Sequence, residues 1–203
     1  VMVIHCAGYC HLDLKPEQFT DTRGVVHTKK ALRRLGFKHC FIEKDLYTTN
    51  IGSIELTEIE QFFFGSIDSK GRDGLNYFAN FDHRNIDYDA FNSTIMYMST
   101  QKLRTPKGLG WLSHRRNKSD RNSVLREMLR FRQLHCAIWT EAVWLIADAS
   151  RSNTKFIISD HPVTVYNRAC SPESKWCQGF DDPDIWLQAT HTIFPLSLEK
   201  ILI

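Results

Sequence analysis

Residues 121–149 read RNSVLREMLRFRQLHCAIWTEAVWLIADA, and this stretch decides the fold class. Its core-type side chains recur at alternating steps of three and four, which is the spacing of one face of an α-helix. The stripe consists of Val124, Met128, Phe131, His135, Ile138, Ala142 and Leu145. The pattern predicts one continuous, buried helix over 121–149. Asp120 is the predicted cap, because an aspartate oxygen at this position accepts an unpaired backbone N–H of the first turn.

The nearest helix on the amino-terminal side is predicted over 88–104. Asp87 is placed to cap it, and Pro106 is placed to stop it, because proline disfavours helix in the residues before it. Residues 105–120 contain two glycines and follow this stop signal. We therefore expect a loop over 105–120.

A further helix is predicted over 54–67, where aliphatic and phenylalanine side chains form an apolar stripe. Ser53 can cap it. The three glycines that follow or end this stretch, Gly65, Gly71 and Gly74, are interpreted as turn residues.

The chain changes period towards its ends, where short apolar runs alternate with turn residues. Strands are predicted at 1–4, 25–27, 156–158, 163–166, 186–194 and 201–203. Helices in the middle and strands at the end indicate the α+β class. We expect a helical bundle packed on a small, mainly antiparallel sheet built from the carboxyl-terminal strands, with the amino-terminal strands as possible additions.

The composition describes an ordinary globular chain. It has 203 residues, of which 42% are hydrophobic and 24% are charged. This excludes disorder, collagen and coiled coil for the chain as a whole, and no apolar run reaches the ~18–20 residues of a membrane helix. We expect a single domain over 1–203. Because the chain opens at Val1 and closes at Ile203 inside apolar runs, we also expect truncation at one or both ends.

The cysteines favour a reducing compartment. Six cysteines in a chain of this length fall short of the density of a disulfide framework. The pair His5-Cys6 and Cys10-His11 has the spacing of half a zinc site, but no clean second pair follows it. The sequence therefore predicts reduced thiols, a cytoplasmic location and no metal site built on cysteine.

The net charge of +3 conceals a basic segment. Residues 102–132 hold ten basic and two acidic side chains, a local net charge of +8. Such a segment can attract phosphate backbones. The candidate nucleic-acid contacts are Arg115, Arg116, Lys118, Arg126 and Arg130. The alternative is a solvated helix face, or arginines paired with the acids at 43–60 and 181–184.

Asp160 is the first candidate for chemistry. It follows the predicted strand 156–158, so its carboxylate is expected at a rigid but open position; an ordinary turn in which Asp160 accepts backbone N–H groups is the alternative. Gln101 and Arg104 lie near the end of the predicted helix 88–104, where Arg104 suits the negative pole of the helix or could hold an anion. Glu58 shares a helix face with Glu55, and paired carboxylates can bind a metal or act as acid and base.

Four segments, in this order, resemble the bacterial domain of unknown function 4238 family. They are FIEKDLYT at 41–48 with the stretch from Ile54 to Glu60, QxxRTP at 101–106, FIISDHPV at 156–163 and FPLS at 194–197. The resemblance implies no settled activity. It implies that Gln101, Arg104, Asp160 and Pro162 occupy characteristic positions, and that Arg104 and Asp160 form one site or one structural ion pair.

Two hypotheses of function follow. In the first, the chain has a hydrolase-like site for a phosphate-containing or nucleic-acid substrate, with Asp160 as base or metal ligand and Arg104, Gln101 and Glu58 beside it. In the second, it is a non-catalytic binding or regulatory domain in which Arg104 and Asp160 pair structurally. The cofactor is unknown, with a divalent metal as the candidate, and nucleic acid or a phosphorylated ligand is the expected partner. No membrane is expected as a partner, and the oligomeric state is left open.

Overall fold

The computed structural model describes residues 2–5, 8–13, 15–35, 49–51, 54–56, 64–82, 85–116, 120–171, 173–177 and 182–203. The chain divides into two compact units. Unit 1 consists of Val1–Lys44 and Ile157–Asp160, and unit 2 consists of Asp45–Phe156 and His161–Ile203. The single domain expected over 1–203 stays a prediction.

Unit 1 is built from short antiparallel strands. They are β1 (Met2–His5), β2 (Gly8–Leu12), β3 (Gln18–Thr20), β4 (Val26–Thr28) and β5 (Leu32–Leu35). The first sheet has the order β1-β2-β5, and β3 pairs with β4 in a hairpin. Gly24 turns this hairpin with a φ of 80°, a conformation that glycine adopts without strain. The strands predicted at 1–4 and 25–27 are confirmed within one residue.

Unit 2 holds the helices and the larger sheet. Its elements are β6 (Thr49–Ile51), β7 (Ile54–Leu56), α1 (Gly65–Ala79), α2 (Tyr88–Arg104), α3 (Pro106–Arg116), α4 (Arg121–Thr140), β8 (Ile146–Asp148), β9 (Thr164–Asn167), β10 (Thr190–Pro195) and β11 (Lys200–Leu202). The sheet has the order β8-β11-β10-β9 and is antiparallel throughout. The α+β class is therefore confirmed, with helices in the middle of the chain and antiparallel strands on either side.

Two apolar clusters hold unit 2 together. One lies among α2, α3 and α4 and contains Leu103, Leu112 and Met128. The other joins the helices to the sheet through residues such as Trp139 and Phe194. Trp139 also donates its indole N–H to Thr192 Oγ1 on β10 at 2.9 Å, so its ring is buried without an unpaired polar atom. No helix within the described ranges is long and apolar enough to cross a membrane.

The caps of α2 and α4 are confirmed. Asp87 accepts the backbone N–H of Ala90 at 2.8 Å, and Asp120 accepts that of Ser123 at 3.0 Å. The helix predicted over 121–149 is nevertheless wrong after Thr140. Leu145 instead exchanges two backbone hydrogen bonds with Ile203, each of 2.9 Å, which draws the chain into an extended course beside the sheet.

The loop predicted over 105–120 is wrong, because α3 occupies residues 106–116. Thr105 starts this helix: its side-chain oxygen accepts the N–H of Gly108 at 3.2 Å, and its carbonyl accepts that of Leu109 at 2.9 Å. Pro106 stands at the first helical position, where a missing N–H costs nothing. The same proline therefore ends α2 and begins α3.

The helix predicted over 54–67 is wrong at 54–56 and correct at 65–67. Ile54–Leu56 is the strand β7, and the helix α1 begins only at Gly65. Ser53 and residues 57–63 lie outside the described residues. The glycines interpreted as turn residues are inside α1, and two of them are buried.

Gly71 and Gly74 allow α1 and α2 to approach each other closely. A Cβ at Gly71 would overlap the ring of Tyr97. A Cβ at Gly74 would lie 2.5 Å from Thr94 Oγ1 and 2.8 Å from the carbonyl oxygen of Ala90. The second contact is with helical backbone, which cannot turn away. Only glycine fits this seam.

The carboxyl-terminal strands are confirmed in part. β9 and β11 match the strands predicted at 163–166 and 201–203, and β10 begins four residues later than the strand predicted at 186–194. The strand predicted at 156–158 is wrong. Residues 155–159 have no regular structure, and Phe156 makes one backbone hydrogen bond, to Leu198 at 2.9 Å.

Gly74→Ala should lower the free energy of unfolding by about 1–2 kcal/mol, because overlap with the Ala90 carbonyl outweighs the better helix propensity of alanine. Ser69→Ala is the matched control, since Ser69 is exposed on the same helix and should gain a few tenths of a kcal/mol. Urea unfolding of both variants tests this. An equal gain in stability for both would show that the seam has room for a methyl group.

Candidate functional site

Arg104 and Gln101 lie together on the last turns of α2. Arg104 Nε contacts Gln101 Oε1 at 3.4 Å. The guanidinium is held by Asp68 of α1: Nη1 donates a hydrogen bond to Oδ2 at 2.9 Å, and Nη2 lies 2.8 Å from Oδ1 as an ion-pair contact. The Phe64 ring lies 5.5 Å from the guanidinium carbon. Arg104 therefore ties α2 to α1, and Asp68 is a partner that the sequence did not suggest.

Asp160 is exposed and sits at a bend before Pro162. It belongs to unit 1, whereas Arg104 belongs to unit 2. The pairing of Asp160 with Arg104 stays a prediction, as does its role as a base. Glu58 lies outside the described residues.

The structure describes two of the five predicted nucleic-acid contacts in full. Arg126 and Arg130 are exposed on α4. Arg130 lies 3.6 Å from Glu127, and Arg126 contacts the Asn122 carbonyl at 3.4 Å. Arg115 and Arg116 belong to α3, but their side chains are outside the description, as is Lys118. Their contact with nucleic acid stays a prediction.

Two lysines of the basic segment point inwards. Lys102 of α2 and Lys107 of α3 line a cavity of about 60 Å³ inside unit 2, bounded by α2, α3, α4, the start of β9 and residues 182–186. The polar residues of the lining are Lys102, Lys107, His135, His161, Asp182 and Asp184. Trp111, Phe131 and Trp186 supply aromatic walls. We take this cavity as the candidate functional site.

Asp182 is the shared anion of the cavity. Its Oδ2 lies 3.2 Å from Lys102 Nζ, and its Oδ1 lies 2.8 Å from Lys107 Nζ. Burial acts to raise the pKa of Asp182, but the adjacent His161 and the two ammonium groups lower it well below its usual range. Burial lowers the pKa of Lys102, and the Asp182 charge opposes that shift only in part.

His161 links this ion pair to the corner between α2 and α3. Its Nδ1 lies 2.7 Å from Thr105 Oγ1, and its Nε2 lies 3.7 Å from Asp182 Oδ2. Burial is the main cause that lowers the pKa of His161, and the two lysines add to it. A neutral ring with its proton on Nε2 suits both neighbours, because Nδ1 can then accept the Thr105 hydroxyl. The imidazole lies between the Asp182 carboxylate and the Thr105 hydroxyl, but at 3.7 Å its contact with Asp182 is longer than a hydrogen bond. Thr105 is buried and caps α3, so the arrangement has a structural use.

His135 lies on the opposite wall, on α4. It is 3% exposed, and its ring stacks on Trp139 with 5.4 Å between ring centroids. Burial, with a smaller effect from the Lys102 charge, lowers its pKa to about 3. Within the described part of the chain its Nδ1 has no hydrogen-bond partner. The expectation of a core histidine holds for its burial, but it also borders the cavity.

The described residues offer no cluster for a metal ion. No group of three or more His, Cys, Asp or Glu side chains among them is placed to hold one. Cys136, Cys170 and Cys177 are free thiols. Residues of the suggested zinc pair near the amino terminus have no described side chains. The divalent metal stays a prediction.

Sequence reasoning missed most of this cavity. One alternative came close, namely that arginines pair with the acids at 181–184, but the basic partners of Asp182 are lysines. The signal that was available is Thr105-Pro106, a cap followed by proline at the first helical position. Read in that way, it places Lys102 and Lys107 on either side of one tight corner.

No protein-family model, curated protein or solved structure matches this chain. The resemblance to the domain of unknown function 4238 family therefore stays a prediction, and the site has to be interpreted from its own geometry.

His135 should make the protein sensitive to acid. Because its pKa in the folded state, about 3, lies below the ~6.5 of an unfolded histidine, the unfolded chain binds a proton first as the pH falls. The free energy of unfolding should therefore fall by about 2 kcal/mol between pH 7.5 and pH 5.0. In His135→Phe the stability should depend on pH less steeply by that amount.

Urea unfolding at the two pH values gives the comparison, with His191→Phe as control because His191 is exposed. An unchanged pH dependence in His135→Phe would mean that this histidine is not held neutral.

Proposed function

We propose that the cavity binds the phosphoryl group of a small phosphate-containing ligand. The observation that carries this proposal is an excess of hydrogen-bond donors. Two ammonium groups have six N–H bonds between them, and Asp182 is the acceptor that the described residues supply to both. Asp184, also on the lining, has its Oδ1 3.4 Å from the Trp186 backbone N–H. An oxygen-rich anion would accept the remaining lysine N–H groups.

The size of the cavity favours a small group. For comparison, an apolar cavity of about 150 Å³ binds a benzene ring. At about 60 Å³, this cavity is too small for a ring but large enough for a group of a few heavy atoms. A phosphoryl group fits this space, and the rest of the ligand would lie outside it.

Binding is favoured over hydrolysis at the cavity. A hydrolase needs a base within reach of the reacting atoms. His161 has both ring nitrogens directed at protein groups, and His135, with a pKa of about 3, is a weak base. The lysines remain as anion-binding groups. A binding or regulatory role, the alternative hypothesis from the sequence, thus fits this geometry better.

The hydrolase-like site is the second proposal, and the exposed Arg126 and Arg130 favour it. In this proposal Asp160, with Gln101, Arg104 and Glu58, acts on nucleic acid that the basic segment holds, with a divalent metal as cofactor. The free thiols of Cys136, Cys170 and Cys177 support the proposal that the protein is cytoplasmic.

Lys107→Gln should weaken the binding of inorganic phosphate roughly tenfold, since a hydrogen bond to a charged group contributes about 1.5–3 kcal/mol. Lys155→Gln is a close control: Lys107 and Lys155 are each 36% exposed, and each lies 2.8 Å from a carboxylate. Isothermal titration at constant ionic strength measures both. Absence of phosphate binding in the wild type, or equal weakening by both variants, would contradict the proposal.

The second proposal predicts phosphodiesterase or nuclease activity that needs a divalent metal and that Asp160→Asn abolishes. Cleavage of single- and double-stranded nucleic acid with and without Mg²⁺ or Mn²⁺ measures this. Asp148→Asn is the control, because Asp148 is exposed like Asp160; its carboxylate accepts the N–H of Ser150 at 2.7 Å. Lack of any metal-dependent cleavage would exclude the hydrolase proposal.

A further inference from the structure

Trp186 lies on the lining of the cavity with half of its surface exposed. We infer that the ligand is a phosphate monoester of the nucleotide class, whose planar heteroaromatic ring stacks on Trp186 while its phosphoryl group enters between Lys102 and Lys107. This inference rests on the proposed function and specifies the part of the ligand that the cavity leaves outside.

The exposure of the Trp186 indole supports this inference. No aromatic or cationic partner for the Trp186 ring appears among the described residues. Trp176, the other half-exposed tryptophan of this region, differs: it does not line the cavity, and the Lys175 ammonium lies 4.8 Å from its ring centroid. Trp186 thus presents an aromatic face, without a ring or cation partner among the described residues, beside a cavity lined by two lysines and two aspartates. Every nucleobase has a π-face that can stack on such a ring.

Hydrogen bonds around Asp184 also hold the backbone of Trp186 in place. Its backbone N–H lies 3.4 Å from Asp184 Oδ1, and the Asp184 carbonyl accepts the N–H of Leu187 at 3.1 Å. Asp184 in turn donates its own N–H to the Trp176 carbonyl at 3.1 Å. Asp182, two residues earlier, is bonded to both lysines. A rigid aromatic side chain on an anchored segment binds a ring at a low cost in conformational entropy.

The inner wall of the cavity carries a buried polar atom that could bind the phosphoryl end of the ligand. His135 is buried to more than nine-tenths, borders the cavity, and has an Nδ1 without a hydrogen-bond partner among the described groups. A buried polar atom of this kind normally has a partner, and a bound molecule can supply it. The neutral imidazole can donate to a phosphoryl oxygen or accept from a protonated one. The inner end thus suits a phosphoryl group, and the outer end suits a ring.

The test compares three probes by isothermal titration at one ionic strength: inorganic phosphate, ribose 5-phosphate and adenosine 5′-monophosphate. The wild type should bind the nucleotide at least fivefold more tightly than the sugar phosphate, the lower end of the range for stacking on an aromatic side chain. Trp186→Ala should remove this preference, so that the nucleotide and the sugar phosphate bind with equal affinity. Trp186→Phe should retain much of it, and Trp176→Ala should retain all of it.

The outcomes distinguish a failure of the proposed phosphate site from a failure of the inference about the ring. If none of the probes binds, the proposed function is wrong and the inference falls with it. If all three bind equally, the phosphate site stands and the aromatic part of the ligand is excluded. A nucleotide preference that survives in Trp186→Ala would also overturn the inference, because the ring would then be held elsewhere.

Discussion

One carboxylate shared between two ammonium groups organises the candidate site. Asp182 reaches Lys102 near the end of α2 and Lys107 in the first turns of α3, so a single side chain fixes residues 182–186 to the corner between two helices. Because Thr105 stands in that corner and its hydroxyl meets His161, the ion pair and the helix cap form one connected network. Lys102, Lys107, His161 and Asp182 of this network line the cavity, together with the aromatic side chains of its walls.

The position of α2 depends on a second constraint at its other face. Gly71 and Gly74 allow α1 to approach so closely that a methyl group would overlap Tyr97 or the Ala90 carbonyl. Arg104 then spans the same pair of helices by its contacts with Asp68. An arginine paired with a neighbouring helix in this way is a poor anion anchor. Lys102, two residues before Arg104, lines the cavity and has N–H donors for which the described residues supply Asp182 as acceptor. Lys102 and Arg104, two residues apart on α2, therefore have different roles.

The features that the sequence predicted correctly are those determined by contacts between residues close together in the chain. The caps Asp87 and Asp120 bond three residues ahead, and the α+β class follows from changes of period along the chain. The predictions were wrong where contacts between residues distant in the sequence determine the local structure. The apolar stripe of α4 continues past Thr140, but the pairing of Leu145 with Ile203 ends the helix. Glycines look like turn residues until a second helix packs on them. The cavity joins residues 80 positions apart, as in Lys102 and Asp182, and no local pattern encodes that distance.

The energetics of the Asp182 network bear on why it is there. Taking charges out of water costs several kcal/mol for each ion, and a buried ion pair is often no more stabilising than apolar side chains of the same volume. Here the cost is greater than for a simple pair, because two cations share one anion and burial already lowers the pKa of Lys102. Apolar residues at these positions would fill the cavity and hold the corner as well. Lys102 and Lys107 have N–H donors for which the described residues supply Asp182 as the shared acceptor, and His135 Nδ1 has no hydrogen-bond partner among those residues. Recognition of an anion therefore explains the arrangement better than stability of the fold does.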